Sequence, residues 1–135
     1  IGASGATRPR NIFLSGNAAV GGRVSHSTIT TLSSDGTPSV SAGNYFVTGD
    51  TTTITDFDDG VVGQTIRILA EHAKTITDNA AIILDGSVNF VMADGDTLTL
   101  TMFNDQVWQE TGRATNVATA GGTSVGILMF YGAQQ

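Results

Sequence analysis

The chain has 135 residues, no cysteine and a charged share of 13%, half the usual proportion of about 25%, so Thr, Ser, Asn, Gly and Ala must cover most of its surface. Six Lys and Arg against twelve Asp and Glu give a formal net charge of −6, which excludes nucleic acid as a partner because no patch could neutralise a run of phosphates, and argues equally against an anionic membrane surface. No apolar run is long enough for membrane insertion and no signal peptide is legible, while the lack of thiols leaves packing or oligomerisation to supply stability.

Residues 1–25 form a thin, Gly/Ala/Ser-rich leading segment. Within "RPRNIFLSGNAAVGG" an apolar triplet, Ile12-Phe13-Leu14, is followed by a Gly-Asn turn, Val20 and a glycine pair. These apolar residues are too few to bury a face by themselves. The abrupt start without an initiator methionine predicts a C-terminal piece of a longer protein.

Residues 26–113 carry a dense strand pattern. "TIRIL" places Ile66 and Ile68 on one face. "ILAEHAKTI" (68–76) has a helix-favouring centre, but it is too short to stand as a helix and continues the preceding alternation; it predicts a strand running into a loop. "AIIL" (81–84) reads as a strand buried on both faces. "SVNFVM" groups Val88, Phe90 and Met92, and "DTLTLTM" sets Leu98, Leu100 and Met102 against Thr97, Thr99 and Thr101, a strict period of two in strand-favouring residues. Asp35-Gly36, Asp59-Gly60, Asp78-Asn79, Asp85-Gly86, Asp94-Gly95 and Asn104-Asp105 supply turn chemistry between the runs, since these residues tolerate positive φ. Residues 114–135 open on small residues and close on the apolar run "GILMFY" (126–131). The pattern predicts an all-β, mostly antiparallel, sandwich-like domain.

Catalytic motifs fail on context. "GTSVG" (122–126) fits the nucleophile-elbow spacing, but that motif requires a strand-turn-helix and a later histidine, and neither follows. "DFDDG" (56–60) places Gly60 fifth and Arg67 twelfth from Asp56, whereas an EF-hand loop needs glycine sixth and glutamate twelfth; it reads as an acidic turn. No spacing among Asp56, Asp58, Asp85, Asp94, Asp96 and Glu110 singles out an acid/base pair. His26 and His72 are too far apart to read as a metal pair. The expectation is a chain that is not an enzyme, with no catalytic residue, metal or cofactor. Trp108, Tyr45 and Tyr131 are the ligand-binding candidates, because large aromatic faces serve as sugar-stacking platforms; a core or interface anchor is the alternative for each. Alternation alone does not choose a face for Trp108.

Two stretches carry a resemblance. "PSVSAGNYFVTGDTTTITDFDDGVVGQTIRIL" pairs Tyr45-Phe46 with a threonine-rich acidic turn and a "GQ-x-I-x-I" strand. "IILDGSVNFVMADGDTLTLTMFNDQVWQETGR" adds a "GDTLTL" strand and a closing "W-x-E-x-x-R" of Trp108, Glu110 and Arg113. Together, over residues 38–113, they resemble a module at the distal ends of bacteriophage tail fibres and tailspikes. "RPRNIFLSGNAAVGG" resembles segments that link a fibre shaft to its next domain. Residues 114–135 extend beyond the minimal module.

The resemblance implies a homotrimer, in which Ile12, Phe13, Leu14 and Val20 bury themselves against neighbouring copies at the end of the shaft. It implies a structural and adhesive tip domain on the virion, joined to upstream fibre or tailspike domains and contacting a host cell-surface glycan or envelope protein. Any depolymerase activity would lie upstream. Two other readings stay open: a trimerisation module with no receptor site, and an accessory carbohydrate-binding domain of a polysaccharide depolymerase.

Overall fold

The structure is a computed structural model that describes residues 12–25 and 28–116. Among these residues there are eight strands, one 3₁₀ turn and no α-helix. The strands are β1 (Ile29–Thr31), β2 (Tyr45–Val47), β3 (Thr65–Leu69), β4 (Lys74–Ile76), β5 (Ile82–Ile83), β6 (Phe90–Met92), β7 (Thr97–Asn104) and β8 (Val107–Ala114). The all-β expectation holds. "GTSVG", the final apolar run, Tyr131 and His26 lie outside the described residues.

The alternating β7 forms the centre of a six-stranded sheet in the order β1-β2-β3-β7-β8-β5. Its threonines suit the pleated backbone, and every second residue (Leu98, Leu100, Met102) is fully buried. A two-residue loop, with Gln106 at φ 55, returns the chain into β8. On the other side β7 pairs antiparallel with β3, so that Ile66 faces Leu100 and Ile68 faces Leu98. Residues 68–76 become the end of β3, a turn and the start of β4, which pairs antiparallel with β6 in a second, two-stranded sheet.

The sheet is mixed rather than mostly antiparallel: β1 with β2, β2 with β3, and β5 with β8 all pair parallel. Parallel neighbours need a crossover of about a dozen residues or more, and residues 32–44 and 48–64 supply two. Asp35-Gly36 and Asp59-Gly60 thus belong to crossovers, not to hairpin turns. The Gln64 side chain fastens these crossovers, because Nε2 donates to the carbonyls of Val40 (2.9 Å) and Gly43 (2.7 Å) and Oε1 accepts from Val61 N. The glutamine of "GQ-x-I-x-I" therefore satisfies main-chain groups that a loop could not pair itself.

One hydrophobic cluster joins Phe46, Ile66, Ile68 and Trp108 of the large sheet with Ile76, Phe90 and Met92 of the small one and with Leu32, Val40, Ile54 and Phe57 from the crossovers. Val88 departs from its predicted place beside Phe90 and Met92. The 3₁₀ turn over Asp85–Ser87 delays β6 until Phe90, and Val88 is left 59% exposed.

Candidate functional site

The chemically distinctive residues of the sequence divide into a buried set and an exposed set. Trp108 belongs to the first. Its pairing with Met102 turns the indole inward, where it is 0% exposed. Nε1 donates to the main-chain oxygen of Phe57 at 3.3 Å, and the Phe57 ring meets the indole edge-on at 6.0 Å. The "DFDDG" turn thus serves as the floor under the tryptophan. A buried ring offers no stacking face, which removes Trp108 from the ligand-binding candidates and makes it a core anchor.

Glu110 and Arg113 complete the same device. Glu110 opposes Leu100 and Arg113 opposes Leu98, because Thr111 is an extra residue at a bulge between Thr99 and Leu100. Without that bulge, two-residue alternation would send Arg113 to the opposite face. As built, Arg113 Nε and Nη2 donate to the two Glu110 carboxylate oxygens, the guanidinium lies 4.1 Å above the Phe90 ring, and Glu110 Oε2 also accepts from Asp85 N at 2.8 Å. The arginine's two hydrogen bonds hold the Glu110 carboxyl below its ordinary value, and the carboxylate in turn raises the arginine's pKa. The set is a structural clasp between β8, β6 and the 3₁₀ turn.

Several other carboxylates accept hydrogen bonds within the loops. Asp56 Oδ1 accepts from Phe57 N, Asp58 Oδ2 from Thr37 Oγ1, and Asp96 accepts from Ala93 N and Asn116 N. Asp50 pairs with the buried Lys74 at 2.9 Å and accepts from Thr52, and these bonds hold its carboxyl far below the usual range. Among the described residues no group of three His, Asp or Glu side chains is placed to hold a metal ion.

Tyr45 leads to a different place. It lies on the outer face of the large sheet, half-buried, and its register partner on β3 is Arg67, with Ile29 on β1 and Thr99 on β7 completing one cross-strand row. The guanidinium stands 5.8 Å from the Tyr45 ring centroid. Beside the row runs a shallow groove of about 360 Å³, bordered by Ile29, Val47, Leu69, Thr97 and Thr99. A smaller hollow of about 270 Å³ is bordered by Asn44, Tyr45, Thr65 and Arg67. Sequence reasoning missed Arg67. The signal was in "TIRIL", where alternation with Ile66 and Ile68 already turns Arg67 outward.

Of the leading segment, Ile12 (59% exposed), Phe13 (91%), Leu14 (62%) and Val20 (60%) lie open to solvent and join no strand. Comparison of the chain with protein-family models, with curated proteins and with solved structures found no match.

Proposed function

We propose that this chain is the structural and adhesive module at the distal end of a bacteriophage tail fibre or tailspike, a sandwich-like β-domain working as a homotrimer that contacts a glycan on the host surface. One observation carries the reading. A protein with so few charged residues leaves the consecutive Ile12, Phe13 and Leu14, and Val20 six residues further on, exposed within a single chain. Contiguous exposed apolar residues of this kind mark an interaction surface, and neighbouring copies of the same segment are its self-complementary partners. The motif residues that prompted the resemblance support it from another side: Gln64, Trp108, Glu110 and Arg113 each hold the fold together, as the signature of a structural module should. Trimers also turn weak single contacts into avidity on a repetitive surface.

Light scattering coupled to size exclusion tests the reading. A particle of three times the 13.9 kDa chain supports it, and a monomer at micromolar concentration overturns it.

The second reading, an accessory carbohydrate-binding domain, is favoured by the Tyr45–Arg67 groove, which joins an aromatic face to threonine hydroxyls. Polysaccharide binding by a monomer would select it.

A further inference from the structure

We infer that the outer face of the large sheet is a subsite for an acidic saccharide, with Arg67 receiving a sugar carboxylate and Tyr45 supporting the adjoining ring. The inference rests on the adhesive reading above and specifies the class of glycan. Arg67 is the only charged residue in β1, β2, β3 and β7. It is exposed, and it makes no ion pair among the described residues, although acids outnumber bases two to one in the chain. Lys74 and Arg113 show what this chain does with a structural cation: it gives each a carboxylate. Arg67 instead stands over the Tyr45 ring, 5.8 Å from its centroid, and stays exposed.

The surroundings fit a sugar better than a bare anion. Val47 and Leu69 give the groove an apolar floor for the C–H face of a pyranose, and the hydroxyls of Thr97 and Thr99 offer both donors and acceptors. The planar guanidinium fork matches a carboxylate through two parallel hydrogen bonds. A neutral sugar offers that fork only uncharged hydroxyl and ring oxygens, without the charge assistance a carboxylate gives. Charge complementarity therefore chooses among glycans: in a protein of net charge −6, an acidic polymer is repelled everywhere except at a local cation.

The test is an array of bacterial surface polysaccharides that includes each acidic member and its carboxyl-reduced form, probed with the intact chain and with Arg67→Gln and Tyr45→Ala. Acidic polymers should bind, and carboxyl reduction and Arg67→Gln should each weaken binding about tenfold or more, as loss of one charge-assisted pair does. Tyr45→Ala should weaken acidic and reduced forms alike. Binding of neutral glycans that is untouched by Arg67→Gln would overturn the acidic subsite and leave the adhesive reading standing. Binding to nothing on the array would overturn both. A change in solution mass on Arg67→Gln would make this face a contact between copies, which overturns the subsite and keeps the trimeric module.

Discussion

Gly60 lies directly against the indole of Trp108. A Cβ built at Gly60 would overlap Cζ2 of the ring and come within 2.7 Å of Met102 Cε. The acidic turn and the lone tryptophan, far apart in sequence, are thus two halves of one packing unit. Gly60→Ala should cost about 1–3 kcal/mol by overpacking, and Trp108→Ala about 3–5 kcal/mol by leaving a cavity. Urea unfolding of the two variants measures both. A Trp108→Ala protein as stable as the parent would mean that the ring is not an anchor.

The Glu110–Arg113 clasp predicts acid sensitivity. The folded-state pKa of Glu110 is lowered from 4.5, so the fold favours the ionised form. Its contribution is complete above that value and is lost as pH falls from there towards the lowered one. Asp50, lowered from 3.8, acts in the same direction over a somewhat more acidic range. The raised pKa of Arg113 has no effect until strongly alkaline pH. Melting temperature should therefore fall progressively as pH drops below about 4.5. Glu110→Gln should begin lower and flatten that profile, and Arg113→Ala should cost about 1.5–3 kcal/mol, as for a hydrogen-bonded charged group. A Glu110→Gln profile parallel to the parent's would contradict the assignment.

What the sequence disclosed, and what it hid, follows from the range of the interactions. Leu98, Leu100 and Met102 could be read directly, because strand alternation is local and β7 buries one whole face. Ile66 and Ile68 were legible for the same reason. The face of Trp108 was not, since it depends on pairing with Met102 across a hairpin whose register shifts between Met102 and Asn104, and the face of Arg113 depends on the bulge at Thr111. The three-residue step from Glu110 to Arg113 holds that information, but it is intelligible only once the bulge is seen. Tyr45 was singled out for its aromatic face, while Arg67 went unnoticed because only the parallel register of β2 and β3 brings them together. Parallel neighbours leave no turn signature in the sequence between them.

Lys74 offers a test of pairing against burial. Its side chain is 0% exposed, and its ammonium donates to Asp50 Oδ1. Breaking such a pair from one side strands a buried charge, whereas replacing the cation by an apolar chain of similar volume does not. Asp50→Ala should therefore lower the melting temperature more than Lys74→Met, and Lys74→Met should leave it unchanged or raise it. The reverse order would show that the ion pair contributes net stability beyond satisfying its own charges.

Gln64 gives a sharper test of the crossovers. Gln64→Glu keeps size and shape but loses both donors, leaving the Val40 and Gly43 carbonyls unpaired against a new negative charge. An unsatisfied, partly buried acceptor costs about 1–3 kcal/mol. The loss should appear as faster amide exchange in 40–44 and 61–64 before the β7–β8 hairpin is affected. Uniform loss of protection would instead make the crossovers part of the global folding unit.

The leading segment decides between a chain that works alone and one that works in company. Phe13 is 91% exposed and is not a member of the core cluster of its own chain, so within a monomer Phe13→Asp should change stability by no more than about 0.5 kcal/mol, as for other surface sites. In a trimer the same substitution places three like charges at one contact, each with an unfavourable burial. Solution mass should then fall towards that of one chain, while the Trp108 fluorescence of the folded β-domain persists, because the indole and Phe57 lie within a single copy. The two readouts separate assembly from folding. Joint loss of mass and fluorescence would make the β-domain dependent on its neighbours, and an unchanged mass would place the contact between copies elsewhere than at Phe13.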